Sequence, residues 1–244
     1  MAMAGNRKRG IKREAQRSDF LLGDNTPFQI AEAYKTVRTN LLYTTAATGN
    51  RVVVVSSASP SDGKSTTCAN LAVALAQTGA RVMLIDADLR KPVQNKIFKA
   101  NNTQGLSRVL VGFSKLEECV KAGVSPNLDL LTAGPTPPNP AELLGSANMV
   151  ELLEYLKTAY DYILIDTPPI NVVTDALVLL NKHTDILLVG RQRQTTYDEL
   201  RKASDSIRFT NATLLGVVVT SVQQEAKMIG TRSYKAYDYE YKKS

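Results

Sequence analysis

Four consecutive valines, Val52 to Val55, lead into Ser57-Ala58-Ser59-Pro60-Ser61-Asp62-Gly63-Lys64-Ser65-Thr66-Thr67 and then into a segment of helical period. An apolar run, a Gly-Lys-Ser turn and a helix in direct succession make a P-loop. In that motif a strand-to-helix turn aims successive backbone N–H groups at nucleotide phosphates, and the helix N-terminus adds a field that favours anions. A plain glycine turn would account for Gly63 but not for Lys64 and Ser65. The pattern assigns phosphate binding to Ser59, Pro60, Ser61, Asp62, Gly63, Lys64, Ser65 and Thr66, with Lys64 reaching the β/γ-phosphates and the Ser65 hydroxyl ligating Mg²⁺.

The rest of the chain repeats this alternation of strand and helix. Strands are expected at residues 52–56, 82–86, 128–132, 162–166, 186–189 and 214–220, where β-branched and aliphatic residues follow one another without polar alternation. Such runs fit a parallel sheet covered on both faces. Helices are expected at 65–77, 141–158, 173–182 and 197–209. Together these predict a doubly wound α/β fold, a mostly parallel sheet with helices on both faces, of the P-loop NTPase class. Ligands in such sheets bind at the carboxyl ends of the strands, and Ser56, Asp86 and Asp166 all lie at such ends. Asp88 follows two residues after Asp86. Three carboxylates beside a triphosphate need a compensating cation, and Mg²⁺ bridges phosphates to one or two carboxylates while keeping several waters.

Charge narrows the range of partners. The net charge is +7, but residues 1–18 carry six basic side chains against Glu14, leaving the remainder near neutrality. That distribution argues against a nucleic-acid groove. Cys68 and Cys119 have neither metal-ligand spacing nor a disulfide pattern and fit a reducing compartment. The basic start lacks the apolar core of a signal peptide, and no stretch has the length of a membrane span, so a cytoplasmic location is expected. The organisation expected is a basic N-terminal arm over 1–27, a P-loop domain over 28–222 and a flexible tail over 223–244. Within the tail, Tyr234, Tyr237, Tyr239 and Tyr241 are four of the chain's ten tyrosines.

Asp86-Ala87-Asp88-Leu89-Arg90 after an apolar strand, Asp166-Thr167-Pro168-Pro169 after another, and Pro137-Pro138-Asn139-Pro140 before Glu142-Leu143-Leu144 together resemble one family. It is the bacterial protein-tyrosine kinases of capsular and exopolysaccharide synthesis, and the resemblance spans about residues 28–244. It implies transfer of the ATP γ-phosphoryl group to tyrosine. In that reading Asp86 contacts the incoming hydroxyl, Asp88 and Asp166 place Mg²⁺ with Ser65, and Lys64 and Arg90 complete the catalytic set. The three carboxylate roles are interchangeable at this level.

The resemblance also implies autophosphorylation in trans of Tyr234, Tyr237, Tyr239 and Tyr241. Residues 222–233, fully extended, span roughly 40 Å, enough to reach a neighbouring subunit. Glu32, Lys35 and Arg38 would make the contacts of a homo-oligomeric ring, a separate transmembrane activator would recruit the kinase to the inner face of the membrane, and a cognate phosphatase would act on it. Other protein tyrosines would be further substrates, and the output would be regulation of polysaccharide synthesis and export.

Three departures from the family pattern stand out. Lys35 replaces an arginine and cannot form a bidentate fork. Ser61 and Asp62 stand where glycine and glutamate are usual, and a Ser61 forced to positive φ would cost on the order of 1 kcal/mol. Thr220 stands where an asparagine that reads the base is common. The competing class is a switch ATPase of the ParA/MinD type, whose signature lysine aligns here with Ser59.

Overall fold

A computed structural model describes residues 21–223. The expected tail tyrosines and most of the basic arm lie outside the described residues. A long helix α1 (Phe28–Thr48) precedes β1 (Val52–Ser57), which is buried along its whole length. Then follow α2 (Lys64–Ala76), β2 (Val82–Asp86) and three helices of four or five residues: α3 (Gln94–Ile97), α4 (Leu106–Leu110) and α5 (Leu116–Cys119). An antiparallel pair, β3 (Val120–Ser125) and β4 (Leu128–Leu131), leads to α6 (Pro140–Leu144) and α7 (Ala147–Ala159). The chain continues through β5 (Tyr162–Asp166), β6 (Asp185–Arg191), α8 (Tyr197–Arg208) and β7 (Thr213–Thr220).

The seven strands form one sheet in the order β3-β4-β2-β5-β1-β6-β7, parallel except for β3. Its two faces carry separate apolar layers. Val53, Val55, Leu84 and Leu164 pack with α1 and α2, whereas Val52, Val54, Ile85 and Ile165 pack with α7 and α8. Burial on both faces is why these strands are uniformly apolar, as expected of a doubly wound sheet.

The structure corrects several expected elements. Residues 141–158 form two helices, because Gly145 and Ser146 interrupt them and Ser146 begins α7. Residues 173–182 contain only a 3₁₀ turn, Leu177–Leu179. Val172, Val173 and Thr174 are β-branched and poor in helix propensity, and the next residue, Asp175, is drawn fully into the interior. The edge strand β3 was not expected; it carries Gly123 at positive φ and little apolar pattern. Leu21 and Leu22, placed in the arm by the sequence, pack on the α2 side of the core, and the Leu22 N–H donates to Asn70 Oδ1 at 2.7 Å.

Candidate active site

The in-register pairing of β2 with β5 sets Asp86 directly beside Asp166. Neighbouring strands lie about 4.8 Å apart, so two carboxylates share one short stretch of the sheet's carboxyl edge. Both are fully buried. The P-loop lysine answers their charge: Lys64 Nζ lies 3.1 Å from Asp88 Oδ2, 3.2 Å from Asp166 Oδ1 and 3.1 Å from Ser65 Oγ. Burial works against the Lys64 ammonium, but the carboxylates of Asp166, Asp88 and Asp86 outweigh it and raise its pKa above the ordinary lysine value. A buried ammonium with this pairing stays charged.

Asp86 is held differently. Its Oδ1 accepts the Asp88 N–H at 3.2 Å, and its Oδ2 accepts the N–H groups of Val93 and Gln94 at 3.0 and 2.9 Å. Burial first, and the charge of Asp166 second, push it up to about 7, against the pull of those N–H groups and of Lys64. Asp86 therefore organises the loop after β2, while Asp88 and Asp166 share the lysine. Gln94, which the sequence did not single out, closes the cluster: its Nε2 donates to the Ser65 carbonyl at 3.0 Å and to Asp166 Oδ2 at 2.8 Å. Cys68 is fully buried nearby, and burial pushes its thiol well up, which leaves it protonated and inert.

The P-loop takes the shape that the sequence found costly. Ser61 adopts φ 69° and Gly63 φ 92°. A Cβ at Gly63 would also meet the Thr220 side chain at 3.4 Å. The helix α2 starts at Gly63 with no side-chain cap, which leaves first-turn N–H groups for phosphate oxygens. Asp62, the unusual acid, braces the loop from within. It is buried, its Oδ2 accepts the Ser59 N–H at 3.0 Å, and its Oδ1 accepts the Thr195 hydroxyl at 2.8 Å.

The loop between β6 and α8 supplies the remaining support. Gln194 Nε2 donates to the Pro60 carbonyl, Arg191 Nη1 to the Ser61 carbonyl, and Ser59 Oγ to Glu199 Oε1 at 2.8 Å. Glu199 also forms the capping box of α8 with Thr196, so one side chain links that helix to the P-loop. The Thr220 hydroxyl donates to the Asp62 carbonyl at 2.7 Å, which commits it to the P-loop. Thr66 begins the second half of the first α2 turn, beyond Ser65.

Arg90 is paired with a carboxylate other than those that hold the lysine. Its Nε and Nη2 form a bidentate pair with the fully buried Asp175, at 2.8 and 2.9 Å. On α1, Lys35 pairs with Glu32 at 2.7 Å, while Arg38 Nη1 reaches inward to the Ala74 carbonyl at 3.0 Å. Arg38 therefore caps a carbonyl of α2 as well as lying on the face with Glu32 and Lys35. Asp175, Gln94, Thr195 and Glu199 were not legible as site residues, because each gains its role from a partner at least 29 residues away.

Among the described residues, no group of three or more His, Cys, Asp or Glu converges to hold a metal by itself. The donor set nevertheless suits magnesium, a hard cation that takes one or two carboxylates and draws its other ligands from phosphate and water. Asp88, Asp166 and the Ser65 hydroxyl surround one ammonium, and the buried Gln94 Oε1 has no hydrogen-bond partner among the described residues.

Comparisons with known proteins agree with this geometry. Residues 50–197 match the family described as AAA domain. The tyrosine-protein kinase YwqD of Bacillus subtilis is 44% identical over 189 residues, which cover 78% of this chain and 80% of the relative. The kinase domain of the Escherichia coli tyrosine kinase ETK is 31% identical with a TM-score of 0.78, over 84% of each chain. The septum site-determining protein MinD of Pyrococcus horikoshii, solved with Mg-ADP, is 24% identical with a TM-score of 0.60 over 70% of each chain, and it shares the fold alone. The likeness to YwqD over most of both chains, rather than the P-loop that MinD shares, decides between kinase and switch ATPase: the chain belongs to the bacterial protein-tyrosine kinases of capsular and exopolysaccharide synthesis, ATP-binding enzymes that phosphorylate protein tyrosine.

Proposed function

We propose that this kinase phosphorylates the tyrosines of its own tail, Tyr234, Tyr237, Tyr239 and Tyr241, in trans within a homo-oligomer, with Mg-ATP as phosphate donor. The observation that carries this reading is where the tail begins. β7 ends at Thr220, whose hydroxyl is bonded to the P-loop, so the chain leaves the domain at the nucleotide's edge of the sheet. At that exit Gln223 is held by Gln192 and Arg193, each at 2.6 Å.

The residues divide the work as follows. The α2 N-terminus and Lys64 hold the phosphates, for which Lys64 must exchange its bonds to Asp88 and Asp166. Asp88, Asp166 and Ser65 hold magnesium, which when bound supplies charge stabilisation for the transferring phosphoryl group. Asp86 accepts the tyrosine proton through Oδ1, which carries a single backbone N–H. A phenol of pKa near 10 needs only a modest base. Arg90, aligned by Asp175, orients substrate or phosphate.

Glu32, Lys35 and Arg38 contribute to the contact between copies. A transmembrane activator supplies recruitment to the inner face of the membrane, and a phosphatase reverses the modification; among the described residues no helix is long and apolar enough to cross a membrane. Output to polysaccharide synthesis and export follows from the state of the tail.

The test mixes two variants: Lys64→Met with its tail intact, and a chain ending at Gln223 with its site intact. Phosphotyrosine on the first, dependent on the second and on Mg-ATP, is the expected result. Label on wild type that never transfers between chains would refute phosphorylation in trans.

A further inference from the structure

One residue, through its backbone and its side chain together, joins the P-loop, Asp86 and Asp166, and it lies outside all three motifs. Gln94 opens α3 and is fully buried. Its backbone N–H donates to Asp86 Oδ2 at 2.9 Å, and its Nε2 donates to the Ser65 carbonyl at 3.0 Å and to Asp166 Oδ2 at 2.8 Å. A carboxamide has two N–H donors, and both are spent here on acceptors. Flipping the amide would press Oε1 against a carbonyl and a carboxylate, so its orientation is fixed.

Two consequences follow from that orientation. Asp166 is held at one oxygen by Gln94, and its other oxygen is presented to Lys64 Nζ. Oε1 is left buried with no partner among the described residues. A buried acceptor without a donor is costly and calls for an explanation. The donor that suits an acceptor beside magnesium-binding carboxylates is a water of the metal's shell, since magnesium retains several waters and each presents its hydrogens outward. We propose that Gln94 is a positioning residue for magnesium: it fixes the Asp166 carboxylate against the P-loop helix and offers Oε1 to a metal-bound water.

This inference rests on the reading of Asp166 as a magnesium-placing residue, and the experiment separates the two. ADP binding is measured by calorimetry across a Mg²⁺ titration and in EDTA, for wild type, Gln94→Met and Asp166→Asn, beside kinase activity over the same titration. Gln94→Met is expected to raise the half-saturating Mg²⁺ about 10- to 100-fold, the range for losing an outer partner of a metal ligand, with ADP affinity in EDTA unchanged.

Wild-type Mg²⁺ dependence in Gln94→Met, while Asp166→Asn shifts, overturns the role of Gln94. Unchanged dependence in both variants overturns the metal reading of Asp166 and the inference with it. An equal loss of ADP affinity with and without Mg²⁺ marks a purely structural role and also overturns the proposal. If Gln94→Met lacks a cooperative melt, Gln94→Asn replaces it. That variant keeps the amide but is one methylene too short to hold Asp166 and the Ser65 carbonyl together, so the same shift is expected and its absence has the same meaning.

Discussion

Asp62→Ala removes the carboxylate that closes the P-loop on itself. In the intact protein that side chain, fully buried, accepts the Ser59 N–H at 3.0 Å and the Thr195 hydroxyl at 2.8 Å. A hydrogen bond to a charged group contributes about 1.5–3 kcal/mol. Both partners are only partly buried and regain some water, which places the combined loss near the lower end, about 3 kcal/mol for the pair. For a domain of this size each kcal/mol shifts the melting temperature by about 2–4 °C, so a fall of about 6–12 °C is expected.

Asp62→Asn separates bond count from charge. Its carbonyl oxygen can accept from Ser59 while its amide donates to the Thr195 oxygen, so the loss shrinks to about 1 kcal/mol and about 2–4 °C. Differential scanning calorimetry of the three proteins, with and without Mg-ADP, provides the measurement. Nucleotide should stabilise Asp62→Ala least, since its P-loop no longer holds the binding shape. Alanine and asparagine variants that melt together, or an alanine variant within about 2 °C of wild type, would refute the brace.

Gly63→Ala should cost about 1–2 kcal/mol and weaken ADP binding, because alanine must adopt φ 92° and sits 3.4 Å from Thr220; equilibrium unfolding in urea and ADP titration check it. Asp175→Ala should lower kcat with little effect on stability, since Arg90 is left half-exposed and can hydrate; steady-state kinetics with a tyrosine peptide, compared with Arg90→Ala, should show similar losses that do not add. The contribution of Asp86 to stability in EDTA should fall as pH rises from about 4 to about 7. Asp86 is held up to about 7 in the native state while the unfolded chain releases its proton near 3.9, so the native state binds the extra proton within that window, and Asp86→Asn should flatten the slope in denaturant titrations across pH.

The P-loop was legible because all of its parts are contiguous. Strand, turn and helix start lie between Val52 and Ala76, and the apolar runs around it reveal a buried parallel sheet by their lack of alternation. Misread segments were those where local propensity and tertiary demand part. Residues 173–182 have helical length, but Asp175 is pulled inward to meet Arg90, and the β3 edge is set by its pairing with β4 more than by its own composition.

The sequence by itself determined the fold class, the phosphate-binding loop and the three aspartates, since each is written in a short run with its own local signature. Tertiary structure decided how they are used. Only the parallel register of β2 and β5 sets Asp86 beside Asp166, and only the return of the chain at Gln94, Thr195 and Thr220 braces the loop. The physical reason is that a hydrogen bond or ion pair depends on ångström-scale approach of groups far apart in the chain, and packing of the whole sheet, not any local preference, brings them to that distance.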